Sequence, residues 1–143
     1  MQRTFVMIKP NGVINGLIGQ IISRYETSGL SVSGIQIKNI QKAEAEEFYG
    51  EHKRREFFDP LIEFMTSGPT LLLVLQGHEA IAVARAINGA TNPDDSLPGT
   101  IRYDYAPNTR MNVVHSSDSS ESAQRESSFW FKKEELVDYN ISK

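Results

Sequence analysis

Asn112-Val113-Val114-His115-Ser116-Ser117-Asp118-Ser119 carries two β-branched apolar residues straight into a run of small polar ones. Paired valines favour a short strand, and Asp118 with Glu121 three residues on has the spacing of a helix start, so His115 is expected where a strand meets a helix. An isolated histidine is ordinarily a surface or hydrogen-bonded structural residue. Here the valines would bury the approach, Asn112, Ser117 and Asp118 crowd polar groups around the ring, and a helix N-terminus favours anions. Such a site could hold a phosphate.

Reading toward the N-terminus, Thr91 to Met111 holds Pro93, Pro98 and Pro107 with no sustained periodicity, which predicts a long loop, ordered or not. Before it, Thr70 to Leu75 is a fully apolar strand candidate, and Ile81, Ala84 and Ile87 line a helix that Asn88-Gly89 ends. Ala43 to His52 reads as a charged helix, and Asp59-Pro60 as the start of another running to about Met65. Val32, Ile35, Ile37 and Ile40 suggest a strand, and residues 16 to 28 an amphipathic helix with Leu17, Ile18, Ile21, Ile22 and Tyr25 inward. Phe5 to Ile8 is a buried strand closed by a Lys9-Pro10-Asn11-Gly12 turn. On the C-terminal side, Phe129-Trp130-Phe131 reads as a last strand before a polar tail. Strands interleaved with helices suit an α+β sandwich of ferredoxin-like type, an open sheet with helices packed on one face.

With 143 residues and 39% hydrophobic content, a single domain over 1–143 is expected. A formal net charge of -3 gives no overall positive field, so neither specific nucleic-acid nor membrane partners are expected. The absence of cysteine removes disulfides, thiolate metal sites and a thiol nucleophile, and fits a cytoplasmic protein. The apolar run near the N-terminus is too short for a signal h-region or a membrane span. No Walker loop, Gly-x-Gly-x-x-Gly or protein-kinase catalytic loop is present, so a phosphate site would have to use side chains. His52, His78 and His115 lack metal-ligand spacing.

Several side chains could serve such a site. Glu126, two turns into the helix after His115, could turn back to fix the ring's tautomer, although a solvent-facing helix glutamate is the plainer reading. Arg85, Arg102, Thr91 and Lys9 fall at element ends or flank the long loop and could converge on phosphate oxygens, though singly each has the look of an ordinary surface residue. The Glu51 to Glu56 run reads as a solvated face, from which His52 stands out. Phe57-Phe58 and Tyr49 are either core aromatics or an exposed stacking surface beside a basic rim.

Taken together, the chain resembles the nucleoside diphosphate kinases over essentially its whole length. The segment from Asn112 to Ser119 looks like that family's signature around its phosphorylated histidine. Arg3 to Pro10, Glu51-His52-Lys53 leading to Phe57-Phe58, Thr66 to Pro69, Gly89 to Pro93, Pro98 to Arg102 and Glu121-Ser122-Ala123 follow the family pattern in order. The resemblance implies an antiparallel four-stranded ferredoxin-like sheet and a homo-oligomer, a hexamer rather than a tetramer. It also implies reversible transfer of a γ-phosphate from a nucleoside triphosphate to a nucleoside diphosphate, with Mg²⁺ held mainly by the nucleotide. His115 would be the nucleophile, Glu126 and Ser117 would orient it, and Lys9 would serve both catalysis and binding. Tyr49, His52, Arg85, Thr91 and Arg102 would address the nucleotide, Asn112 would hold the sugar, Phe57 would stack on the base, and Asp118 would help place the metal. The chain departs from the pattern at Asn11, usually aspartate, at Ser116, usually glycine or alanine, at Tyr103, usually glycine, and at Arg110-Met111, usually Gly-Arg. Those departures leave a family member of low rate with a regulatory or scaffolding role as the alternative, and an RNA-binding ferredoxin-like module as a third reading that the net charge opposes.

Overall fold

A computed structural model describes residues 1–142; Lys143, the end of the polar tail, lies outside them. Four strands, β1 (Gln2–Ile8), β2 (Ser31–Lys38), β3 (Thr70–Gly77) and β4 (Val114–Ser116), form one sheet in the order β2-β3-β1-β4. Every neighbouring pair is antiparallel. The helices are α1 (Pro10–Ile14), α2 (Ile18–Thr27), α3 (Lys42–Phe48), α4 (Phe58–Met65), α5 (Ala80–Asn88), α6 (Ile101–Tyr105) and α7 (Ser120–Trp130). This is the ferredoxin-like arrangement that the alternation of strand and helix predicts.

The two central strands explain the layering. Every residue of β3 is buried, and so are Phe5 to Ile8 of β1, because successive side chains point to opposite faces and both faces are covered. On one face, Val6, Ile8, Leu71, Leu73 and Leu75 pack against Ile21 and Tyr25 of α2 and Ala80 and Ala84 of α5. These are the crossover helices, and they share that face as expected. On the other, Phe5, Met7, Leu72 and Val74 meet Phe48 of α3, Phe58, Ile62 and Met65 of α4, and Trp130 at the end of α7.

Some local readings are corrected. Lys9-Pro10-Asn11-Gly12 is not a bare turn but the entry to α1, with proline in the first turn, where its missing N–H is no loss. His52 stands in a 3₁₀ turn, Gly50–His52, after α3 has ended at Phe48. The last helix is capped by Ser119, whose Oγ accepts from the Ser122 amide, one residue later than the Asp118–Glu121 spacing suggested. Phe129 and Trp130 are not a fifth strand: they finish α7, where Ala123, Glu126 and Trp130 recur on the buried face at helical spacing, and Phe131 alone is extended. Aromatic β propensity is overridden there by packing, since Trp130 needs the helical position to reach Phe48, 5.5 Å away between ring centroids. The stretch from Thr91 to Met111 is ordered by a 3₁₀ turn, Pro93–Asp95, and by α6.

Phe48 is the hub of the second face, with the rings of Phe5, Tyr49, Phe129 and Trp130 within 6 Å and His115 at 6.0 Å. Truncation of a buried phenylalanine leaves a cavity as well as losing its transfer energy. Phe48→Ala is therefore expected to lower unfolding free energy by about 3–5 kcal/mol, read as a drop in denaturant midpoint at unchanged m-value.

Candidate active site

β1 and β4 bring the two ends of the site together. The register sets Met7 opposite His115 and Ile8 opposite Val114, so the chain leaving β1 at Lys9 passes beside the segment entering β4. The Lys9 amide donates to the Val113 carbonyl at 2.7 Å, and the Val114 amide donates to the Asn112 carbonyl at 2.8 Å. The second bond closes a tight three-residue turn around Val113, which sits at φ 72. Through this turn the Asn112 side chain is directed at Lys9, whose Nζ donates to Asn112 Oδ1 at 2.8 Å. Asn112 Nδ2 in turn donates to the Thr91 carbonyl at 3.0 Å.

His115 projects from β4 into an open cleft of about 1270 Å³. One side of the ring is backed by Phe5 and Phe48. Its Nε2 lies 2.9 Å from Glu126 Oε1, and the same oxygen accepts from Ser117 Oγ at 2.7 Å. Burial alone would raise the pKa of Glu126, but the hydrogen bond and charge of His115, with the Ser117 hydroxyl, hold its carboxyl below the ordinary range. An ionised Glu126 can only accept, so the proton on the ring belongs on Nε2 and the Nδ1 lone pair is left free. That is the protonation state of an imidazole nucleophile.

Cations surround it. Lys9 and Arg102 are each 8% exposed, and Arg85 stands in the last turn of α5 on the cleft wall. Arg102 spends its two terminal nitrogens on the carbonyls of Gly89, at 2.7 Å, and Val114, at 2.8 Å, while its Nε has no partner among the described residues. Among the described residues none of the three forms an ion pair. Burial, helped by the Arg102 charge, pulls the Lys9 pKa down to about 7. Basic side chains gathered with no ion-pair partner among the described residues suit a polyanion.

Of the side chains the sequence singled out, Lys9, His52, Arg85, Thr91, Arg102, Asn112, His115, Asp118 and Glu126 share this cleft. Ser117 is fully buried behind it, placed to orient Glu126. Phe57 is 43% exposed and leans on the His52 ring at 5.3 Å, at the outer rim rather than within. Tyr49 is 7% exposed, its hydroxyl donates to Met7 Sδ at 3.6 Å, and it is not among the side chains that line the cleft. The paired Phe48-Tyr49 pattern did not say which ring would be core. Glu51, Ser116, Ser119, Glu121, Ser122 and Arg125 also line the cleft and were not singled out. Only Ser119 and Ser122 carried a signal, a serine three residues before another at a helix start.

Among the described residues no group of three or more His, Asp or Glu could hold a metal ion by itself. Asp118, one residue before the Ser119 cap of α7, lines the cleft with its Oδ1 accepting from Ser122 Oγ at 2.8 Å. That hydrogen bond keeps its carboxyl below the ordinary range, so it is charged at neutral pH. Oxygen donors of this kind suit a divalent cation that phosphate oxygens bring in.

An imidazole with one nitrogen anchored by a buried carboxylate and the other free, inside a ring of uncompensated cations on a ferredoxin-like sheet, defines a phosphotransferase working through histidine. Comparison with known proteins gives the family. The chain matches the family model described as nucleoside diphosphate kinase over residues 2–136. It is 52% identical over 140 residues to the nucleoside diphosphate kinase of Methanosarcina mazei, covering 98% of this chain and 94% of that one. Against the nucleoside diphosphate kinase of Sulfurisphaera tokodaii it is 52% identical over 137 residues, covering 96% and 93%. The structure of a halophilic nucleoside diphosphate kinase from Halobacterium salinarum in complex with CDP matches with a TM-score of 0.94 at 43% identity, covering 98% of this chain and 93% of that chain. The chain belongs to the nucleoside diphosphate kinase family, and its activity is phosphotransfer through a catalytic histidine.

The Lys9 environment makes a prediction about pH. A lysine whose folded pKa is lowered to about 7 binds fewer protons than the unfolded chain between there and its ordinary 10.5, so its burial weakens the fold most below about pH 7 and progressively less above it. A bound polyphosphate reverses the shift by favouring the ammonium. Nucleoside diphosphate binding near pH 8 is therefore expected to take up close to one proton, measured by titration calorimetry in two buffers of different ionisation enthalpy. Lys9→Met should remove that uptake.

Proposed function

We propose that the chain, as a single domain over its length, transfers the γ-phosphate reversibly between nucleoside tri- and diphosphates by a ping-pong route through phospho-His115. The observation that carries this reading is the anchoring of His115 Nε2 by Glu126 at 2.9 Å, which leaves Nδ1 as the one ring nitrogen free for attack. Nδ1 forms a bond to the γ-phosphorus in line as the bridging P–O bond breaks, and the electron pair leaves on the terminal oxygen of the diphosphate. A second diphosphate then enters the same cleft, and its terminal oxygen takes the phosphoryl group back from Nδ1.

In this reading Lys9, Arg85 and Arg102 stabilise charge on the transferring group and the leaving diphosphate. Thr91 and Asn112 hold ribose and phosphates, with Asn112 already oriented by Lys9 and Thr91. His52 and the exposed face of Phe57 receive the base by stacking, a contact every nucleobase can make. The H. salinarum relative was solved in complex with CDP, and the likeness of the two folds, with a TM-score of 0.94, supports a nucleotide here. Mg²⁺ on the nucleotide would neutralise charge on its phosphate oxygens, and Asp118 would face it. Tyr49 would support the cleft from the core side, edge-on to Phe48 at 5.0 Å.

The loop departures leave this set alone. Asn11 Nδ2 donates to the Met111 carbonyl at 2.8 Å, a bond the usual aspartate could not make, and Tyr103 is 54% exposed on α6. No observation favours the regulatory reading. We further propose a cytoplasmic protein and a hexamer over a tetramer; self-association is supported by Ile35 and Ile37, 55% and 58% exposed on the edge strand β2, and by Leu97 at 74%. Among the described residues no helix is long and apolar enough to cross a membrane.

Intact-protein mass spectrometry after brief incubation with Mg²⁺ and ATP, held alkaline because phosphohistidine is acid-labile, should show the gain of one phosphoryl group that disappears on adding GDP. His115→Ala should keep the fold and lose the gain altogether. A phosphorylated His115→Ala protein would overturn the nucleophile.

A further inference from the structure

The carboxylate that anchors His115 is not fully accounted for by the residues above. Glu126 is 5% exposed, and its Oε1 already accepts from both His115 and Ser117. Among the described residues no hydrogen-bond donor reaches Oε2. The charge that faces it is the Arg125 guanidinium, 3.6 Å away, on the next residue of α7. The same Arg125 nitrogen lies 4.0 Å from Glu51 Oε1, and that oxygen is 3.6 Å from His52 Nε2. A single cation thus stands between the inner carboxylate and an outer one on the 3₁₀ turn that carries the cleft wall.

We propose that Arg125 is a positioning residue of the phosphotransfer: it holds the outer oxygen of Glu126 so that the ionised carboxylate keeps His115 in its attacking tautomer, and Glu51 tempers that hold from the wall. The inference rests on His115 as nucleophile and Glu126 as its anchor.

The physical case is one of charge next to a coupled acid–base pair. If Glu126 takes a proton, it becomes a donor to Nε2 and the remaining ring proton moves to Nδ1; if the ring takes it, both nitrogens carry protons. In either place the added proton silences the nucleophile. The groups that face the pair are Ser117, the Tyr49 hydroxyl, whose proton burial and Glu126 hold in place, and Arg125. Of these, Arg125 alone is charged, and its positive charge opposes the added proton wherever it lands. Glu51 is one step further out and has the opposite sign, so it weakens Arg125's effect. Arg125 is 52% exposed, so water and salt screen it and its effect is modest.

The test is the pH dependence of the single-turnover rate of phosphoenzyme formation with Mg²⁺ and ATP. In Arg125→Met the acid limb should move to higher pH, giving a loss of about two- to five-fold on that limb that exceeds any loss on the alkaline plateau. Arg125→Lys should restore the limb, and Glu51→Gln should move it the other way, to lower pH. Opposite displacements from two half-exposed substitutions are not produced by loss of packing. An unmoved limb in Arg125→Met, a uniform loss at every pH, or failure of lysine to restore it would overturn the proposal. His115→Ala run alongside keeps the two readings apart: a phosphorylated His115→Ala protein undermines the nucleophile itself, whereas an inert His115→Ala with an unmoved Arg125→Met limb removes only the role of Arg125.

Discussion

The pairing of β1 with β4 and the turn it enforces at Val113 are the constraint on which the site depends. Three residue pairs make up that ladder, and beyond it the Lys9 amide still bonds the Val113 carbonyl. A β-branched residue at φ 72 is strained, by an amount of order 1–3 kcal/mol. What holds it there is packing from below: Val113 is 1% exposed, and a Cβ built on Gly12 would come within 3.1 Å of Val113 Cγ1 and 2.7 Å of Ile8 Cγ2. Gly12 is therefore what lets α1 tuck beneath the turn. Without this geometry the Asn112 amide would not face Lys9 across a hundred residues of chain, and His115 would enter the sheet from a different angle.

A second consequence follows from where those cations end up. Placing Lys9 and Arg102 almost out of water with no carboxylate partner opposes folding, because a buried charge is costly when uncompensated. Part of that cost is offset by carbonyls, with Arg102 donating to Gly89 and Val114, and Lys9 partly escapes it because its pKa falls to about 7. The remainder is relieved only when an anion enters. The same electrostatics that weaken the empty protein therefore favour a phosphorylated ligand, and the anchoring of Arg102 by backbone means the donors need no reorganisation when charge builds up on the transferring group.

Periodicity exposed most of the scaffold and residue type exposed half of the site. The apolar run from Thr70 to Leu75 marked the strand that becomes β3, and the helical stripe of Ile21 and Tyr25 marked a helix that covers one of its faces. The other cover was obscured because it is made of consecutive aromatics, Phe48-Tyr49 and Phe129-Trp130, whose inward members no period of 2 or 3.6 separates. The catalytic neighbourhood was legible where strand ends carry cationic or polar residues, at Lys9, Asn112 and His115. It was silent at Arg125, which looks like any charged residue on a solvated helix face until the fold turns Glu126 inward and leaves its outer oxygen beside the guanidinium. Phe57 and Tyr49 lie only eight positions apart, yet one ends on the rim and the other in the core, since the 3₁₀ turn between them changes which way the chain faces.

Ser116 apart, which lines the cleft beside His115, the departures from the family pattern and the residues that match it occupy different mechanical positions. Lys9, Asn112 and Thr91 are linked in series, and His115, Glu126 and Ser117 share one oxygen, so a change at any member strips a partner from another. Tyr103 and Met111 are 54% and 37% exposed, and neither side chain takes part in those links. Asn11 is the instructive case, because it does sit close to the strained turn. Its amide donates to the Met111 carbonyl while its own oxygen is buried without a donor. A carboxylate in the same pose would set a negative charge against that carbonyl and leave two acceptors facing each other, so this loop conformation and asparagine belong together. The loop has changed by exchanging one local contact for another, and the interlocked core of the site has not had to follow.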